Sequence, residues 1–98
     1  MCIRDRYGLS DELINKIRKI STENDIKLYI FGSRARGDYR ANSDIDIAVM
    51  DSISTKKKYK IMNEIDLIDC IYKIDLVFMQ DIKNLEFINA IKTDAKQI

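Results

Sequence analysis

Two aspartates spaced one residue apart are the first feature of this sequence that could do chemistry. Asp44 and Asp46 lie in the segment Ser43-Asp44-Ile45-Asp46-Ile47, which reads as a β-strand. Because successive side chains of a strand point to opposite faces, both carboxylates emerge on one face. Such a pair can bind Mg²⁺, which prefers oxygen ligands from a few carboxylates and from substrate phosphates, and a two-metal arrangement would suit in-line displacement at a triphosphate. In isolation the same spacing is more typical of a solvated polar strand face.

A glycine-serine pair precedes these aspartates and could bind phosphate. Gly32 follows an apolar run, where a glycine lets the backbone approach a phosphate closely and Ser33 can donate a hydroxyl hydrogen bond. Gly32 and Gly37 have the glycine spacing of a Walker loop, but Asp38-Tyr39 stand where that loop requires Lys-Ser/Thr. We therefore reject a P-loop, and the pair alone is more simply a strand-ending turn.

A third carboxylate, Asp75, interrupts the apolar run Ile74 to Phe78. A carboxylate in such a run meets a cation or lies at the edge of the strand. If this strand neighbours the one that carries Asp46, Asp75 completes a three-carboxylate cluster, where it could bind metal and accept the proton of an attacking hydroxyl. An exposed acid at the end of the strand is an equally good interpretation.

Arginines surround the glycine-serine turn. Arg34, Arg36 and Arg40 lie within seven residues, and their guanidinium groups could bind phosphate oxygens bidentately. A solvated loop charge is the alternative and is favoured for Arg40. Four lysines between positions 56 and 60 are better explained as a solvated helix face.

Composition restricts the class of protein. The 98 residues hold 17 Lys+Arg against 16 Asp+Glu, so charge gives no support for a nucleic-acid-binding surface. Histidine is absent, which removes Ser-His-Asp and Cys-His catalysis and most zinc sites. No apolar run approaches the roughly 18 residues that span a bilayer, and we expect a cytoplasmic protein without a membrane partner.

The chain reads as one α/β (α+β) domain. Residues 1–6 fit no later pattern and resemble a translated sequencing-adapter remnant, so we take the domain as residues 7–98. Periodicity predicts a helix from Asp11 to near Asn24, capped by Ser10, and helices over 55–72, with Cys70 buried on it, and from Asp81 onward. Strands are predicted over 26–31, 45–50 and 73–79. The short link between the first two favours an antiparallel pair, giving a small mixed three-stranded sheet flanked by about four helices.

Taken together, the motifs resemble the minimal nucleotidyltransferases (MNT) of the DNA polymerase β superfamily. That family has a glycine-serine followed by Ala-Arg-Gly, then Ser-Asp-x-Asp, then a later lone Asp on a strand. Here the pattern reads Gly32 to Gly37, Ser43 to Asp46, and Asp75, and no position is missing.

The resemblance implies a nucleotidyltransferase-like fold and assigns roles to residues. Asp44, Asp46 and Asp75 would be catalytic and bind Mg²⁺, and Gly32, Ser33, Arg36 and Ser43 would bind the nucleotide. It further implies transfer of AMP from ATP to a tyrosine of a HEPN-domain toxin, with this chain as the antitoxin. The alternatives are a non-catalytic module that neutralises a toxin by contact, and a catalytic subunit that acts on a small molecule or RNA.

Overall fold

Helices and strands alternate along most of the chain. The computed structural model describes residues 7–40 and 42–98, so the interpretation of residues 1–6 lies outside the described residues. The helices are α1 (Asp11–Glu23), α2 (Ser33–Arg36), α3 (Thr55–Asp66) and α4 (Leu85–Asp94), and a 3-10 turn spans Met79–Asp81. The strands are β1 (Leu28–Phe31), β2 (Ile45–Val49), β3 (Ile74–Phe78) and β4 (Lys96–Gln97). The α+β class is confirmed. None of the helices in the described ranges could cross a membrane.

The strands form one mixed sheet in the order β3-β2-β1-β4. β1 and β2 pair antiparallel, as predicted, whereas β2 and β3 pair parallel. The fourth strand was not predicted, because β4 is only two residues long and shows no alternation of its own. It exists through pairing with β1, where Ile30 lies opposite Lys96.

The first helix begins where the sequence predicts. The Ser10 side chain accepts a hydrogen bond from the Leu13 amide at 3.2 Å, and Asp11 and Glu12 stand at the positive end of the helix dipole. The helix ends at Glu23 and is followed by the C-cap residue Asn24. Its predicted apolar stripe is buried throughout, comprising Leu13, Ile14, Ile17 and Ile20.

Alternation along β2 divides the interior into two layers. Ile45, Ile47 and Val49 are fully buried on one face in a cluster with residues of α1 and α3. Ala48 is buried on the opposite face, where it joins Phe31 and Ile91 of α4. The sheet is therefore covered by two helices on one side and by α4 on the other.

The predicted helix over 55–72 is too long at its C-terminal end. α3 stops at Asp66, and the Ile68 amide then bonds to the Ile65 carbonyl at 3.1 Å, which turns the chain out of the helix. The following residues lead into β3, which must run parallel to β2. The prediction that Cys70 lies buried on a helix is therefore wrong, because it is half-buried in this connection and its Sγ donates to the Tyr72 carbonyl.

Candidate active site

The sheet register brings the predicted aspartates together at one end of the sheet. Asp46 of β2 lies opposite Asp75 of β3 on one side and opposite Phe31 of β1 on the other. Directly paired residues point to the same face, and neighbouring strands are about 4.8 Å apart. Asp44 precedes Asp46 by two residues and shares its face. The conditional prediction that β3 neighbours β2 is therefore confirmed.

The end of the face that carries the carboxylates is more open than the end beneath α4. Ile91 of α4 is fully buried and packs with Phe31 and Ala48, with Val77 also packed against this cluster. Ala48 and Val77 lie two residues beyond Asp46 and Asp75, further from the carboxylate end. Asp44 is exposed, whereas Asp46 and Asp75 are half-buried. A ligand can thus reach all three side chains from solvent.

The glycine-serine turn lies against the same group. Gly32 follows β1 directly and has φ 76° and ψ −154°, a conformation that is essentially restricted to glycine. A Cβ atom at this position would stand 2.5 Å from Oδ2 of Asp46. The absence of a side chain therefore lets the carboxylate and the backbone approach each other. Ser33 opens α2 and is half-buried beside them.

The aspartates interact electrostatically. Burial is the largest cause that raises the pKa of Asp46 above its ordinary value of 3.8, and the negative charges of Asp75 and Asp44 raise it further. The Arg36 guanidinium acts in the opposite direction. Lys73 lies 3.7 Å from Asp75, but the Lys73 side chain is well exposed and the pairing is weak. The three carboxylates therefore form a negatively charged centre that a cation would stabilise.

Arg36 lies near this centre but is held by two other carboxylates. Its Nη1 is 2.8 Å from Asp94 at the end of α4, and its Nε is 3.3 Å from Asp38. These two hydrogen bonds raise the pKa of Arg36 above its ordinary value. Sequence reasoning missed Asp94, because 58 residues separate it from its partner and nothing in the local pattern links them. Arg36 lies close enough to Asp46 to lower the pKa of that carboxyl. Its assignment as a nucleotide-binding residue stays a prediction.

Arg34 and Ser43 form hydrogen bonds that hold the loop between α2 and β2. Arg34 is 2% exposed and its guanidinium nitrogens donate to backbone carbonyls, so the expectation that it could bind phosphate is wrong. The Ser43 hydroxyl accepts a hydrogen bond from the Arg40 amide at 2.8 Å. The nucleotide-binding role of Ser43 stays a prediction.

The donor chemistry of the site fits Mg²⁺ bound together with a substrate. Within residues 7–40 and 42–98, no group of three or more acidic or cysteine side chains is arranged so that it could hold a metal ion by itself. Mg²⁺ rarely requires such a set, since it keeps several waters and is held by one or two carboxylates plus substrate phosphates. Asp44, Asp46 and Asp75 offer carboxylate oxygens on one accessible face.

The fold and the site together are those of a nucleotidyltransferase. The mixed sheet has helices on both faces, and three carboxylates lie at one end of it beside a glycine-serine turn. The family model "Polymerase beta, Nucleotidyltransferase" matches residues 15–98. The chain therefore belongs to this family. A search of the curated proteins gives no match.

Solved structures of toxin–antitoxin complexes contain similar chains. One chain of a complex with AMP-PNP is 28% identical, with a TM-score of 0.57 and coverage of 85% of this chain and 69% of that one. One chain of a mutant MntA–HpeT complex is 27% identical, with a TM-score of 0.62 and coverage of 92% and 72%. A third, from the complex of a tri-AMPylated Shewanella oneidensis HEPN toxin with its MNT antitoxin, is 24% identical with a TM-score of 0.59 and coverage of 91% and 71%. This last likeness concerns the fold alone.

Proposed function

We propose that this chain transfers AMP from ATP, with Mg²⁺, to a tyrosine hydroxyl of a HEPN-domain toxin and so acts as its antitoxin. The observation that carries the proposal is the register of β2 and β3, which aligns Asp46 with Asp75 on the open face beside Gly32. Three carboxylates in this arrangement repel one another, and a Mg²⁺–nucleotide would relieve that repulsion.

The nucleotide and the acceptor are proposed from the relatives. Two similar chains above 25% identity come from toxin–antitoxin complexes, one of them with AMP-PNP, an analogue of ATP. This supports ATP as the substrate and a toxin as the partner. The HEPN class of toxin is proposed from the resemblance of the sequence motif to the minimal nucleotidyltransferases.

The proposed reaction is a displacement at the α-phosphorus of ATP. The acceptor hydroxyl oxygen forms a bond to that phosphorus, the bond from the phosphorus to the bridging oxygen of the β-phosphate breaks, and pyrophosphate leaves. The Asp75 carboxylate accepts the hydroxyl proton. Bound Mg²⁺, held by Asp44, Asp46 and Asp75, would neutralise the phosphate charge and polarise the reacting phosphorus. Gly32 and Ser33 would bind phosphate oxygens through backbone and hydroxyl donors.

Labelled ATP tests this proposal directly. The chain is incubated with the protein encoded by the neighbouring gene, the candidate toxin, together with Mg²⁺ and ATP labelled at either the α- or the γ-phosphate. We expect label on the toxin only from α-labelled ATP. Label from γ-labelled ATP would identify a kinase instead, and no label from either would contradict catalysis on this acceptor.

Matched variants separate chemistry from contact. Asp44→Asn combined with Asp46→Asn should abolish labelling, whereas Asp66→Asn, an exposed change at the end of α3 in the layer on the other face of the sheet, should leave it unchanged. Growth protection against the toxin is measured for the same proteins. Full protection by the double variant would favour neutralisation by contact and would contradict the proposed role of the reaction.

A further inference from the structure

Arg34 is the only charged side chain that is buried among the described residues. It lies in α2, immediately after the glycine-serine turn, with 2% of its surface exposed. A buried charge is unfavourable unless hydrogen bonds replace its hydration. Within the described part of the chain, no carboxylate forms an ion pair with this guanidinium. Other groups must therefore offset the cost of burying the Arg34 charge.

Backbone carbonyls and aromatic rings supply that stabilisation. Nε and Nη2 of Arg34 donate to the same Ser43 carbonyl, at 3.2 and 2.9 Å, and Nη1 donates to the Tyr7 carbonyl at 2.8 Å. The guanidinium carbon lies 4.9 Å from the ring centre of Tyr39 and 4.5 Å from that of Tyr72. Cations over aromatic rings at these distances are attracted to the ring faces.

The residues that Arg34 contacts are close in the chain to the residues of the candidate active site. Arg34 itself follows Gly32 and Ser33, the carbonyl that it holds immediately precedes Asp44, and Tyr72 stands three residues before Asp75. The Ile45 amide in turn bonds to the Lys73 carbonyl at 2.8 Å, which ties the starts of β2 and β3 to each other. One buried side chain thus links the phosphate turn to the starts of both carboxylate-bearing strands.

We propose that Arg34 is a positioning residue that fixes Asp44 and Asp75 relative to the Gly32-Ser33 turn; this role rests on the proposed nucleotidyl transfer. The chemistry requires arginine. A planar guanidinium can direct two N–H groups to one carbonyl while its faces rest on rings, whereas the ammonium group of lysine has neither the fork nor the plane. Arg34→Lys therefore keeps the positive charge but removes the planar group that donates two hydrogen bonds to the Ser43 carbonyl.

The expected kinetic effect follows from misplaced carboxylates. A displacement of about 1 Å at reacting groups can lower a rate about a hundredfold, so we expect kcat of Arg34→Lys to fall by about that factor. KM for the toxin should stay within about twofold, because the acceptor surface does not change. A purely structural role would lower the folded fraction but leave kcat per folded molecule unaltered.

Hydrogen exchange provides a measurement that does not depend on activity. Loss of the Ser43 anchor should loosen the start of β2, and we expect the Ile45 amide of Arg34→Lys to exchange at least about tenfold faster. The Ile17 amide in α1 should be unaffected. Ile17→Val, a mild core change at a fully buried position of α1, is the control for general destabilisation. Its Ile45 exchange should rise only as much as its global stability falls.

Tyr72 variants keep the test decisive if Arg34→Lys fails to fold. Tyr72→Phe retains the ring and should behave as the native protein, whereas Tyr72→Leu should reproduce the faster Ile45 exchange and the lower kcat in part. Native exchange and native kcat in folded Arg34→Lys, or in Tyr72→Leu where Arg34→Lys does not fold, would overturn the positioning role. If the native protein transfers no label, the proposed function fails, while the exchange measurement still decides whether Arg34 holds the two strand starts.

Discussion

Replacing Gly32 by alanine would add one methyl group where the backbone lies against the Asp46 carboxylate. The added Cβ would stand 2.5 Å from Oδ2 of Asp46, well inside van der Waals contact, and the residue would keep φ 76° and ψ −154°. Two separate penalties follow, one from the backbone conformation and one from the displaced carboxylate. Gly37 offers a natural comparison, since it also has positive φ, at 92°, but a Cβ there would meet nothing within 4 Å.

The magnitudes of the two penalties can be worked from these geometries. A side chain in the glycine-only region costs about 1–3 kcal/mol, and forcing the Asp46 side chain away from its rotamer adds about 0.5–1.5 kcal/mol. We therefore expect Gly32→Ala to lower the free energy of unfolding by about 1.5–4.5 kcal/mol. Gly37→Ala carries only the left-handed backbone penalty and should lower it by about 1–2 kcal/mol.

A double-mutant cycle isolates the clash. Urea unfolding is measured for the native chain, Gly32→Ala, Asp46→Ala and the double variant. Because Asp46→Ala removes the carboxylate that the new methyl group meets, Gly32→Ala should cost about 0.5–1.5 kcal/mol less in that background. An equal cost in both backgrounds, or a cost of Gly32→Ala no larger than that of Gly37→Ala, would refute the close approach of Gly32 to Asp46.

Three further predictions concern the charges and the α4 layer. Because folding raises the pKa of Asp46 above 3.8, the folded state binds its proton more readily, and this group favours folding increasingly as pH falls through the raised value toward 3.8. In metal-free buffer Asp46→Asn should therefore be more stable than the native chain at pH 7, with a difference that shrinks on acidification in urea titrations. Ile91→Ala should lose about 2–5 kcal/mol of unfolding free energy, since this side chain is fully buried, whereas Leu85→Ala, at a position that is 73% exposed, should change it by less than about 0.5 kcal/mol. Asp94→Asn removes the ion pair between α4 and Arg36 and should lower Tm at low ionic strength, and by less at 1 M salt, because the Arg36 side of the pair is half exposed and partly screened.

Local patterns were sufficient for most of the secondary structure. α1 has a serine cap and a clear apolar period, and β1, β2 and β3 are short runs of β-formers, so each was predicted to within a few residues. The shared face of Asp44 and Asp46 follows from the period of a strand alone. The α3 terminus and β4 depend instead on contacts with distant residues, which a local pattern does not contain.

Long-range contacts also explain what was missed in the candidate site. Sequence reasoning treated the arginines near the turn as one group, yet Arg34 points inward and Arg36 pairs with an acid of α4. Inside the fold the Arg34 guanidinium lies over the ring of Tyr72, which is 38 residues away in the chain. The approach of Asp46 to Gly32 likewise requires the antiparallel register of β1 and β2. The short link between these strands predicted their antiparallel direction but not which residues lie opposite each other.

The parallel register between β2 and β3 makes the formation of the site depend on a long-range pairing. Asp46 and Asp75 become neighbours only after β3 has docked, and β3 follows β2 through the whole of α3, so this pairing closes a long loop. A slip of one residue would send Asp75 to the opposite face and drive Ile74 and Leu76 out of the α3 layer. The alternation that keeps the apolar side chains in the core therefore also keeps Asp75 on the same face as Asp46. A nascent chain has no complete site until residues 74–78 have emerged and paired, and no partly folded intermediate that lacks β3 can possess one.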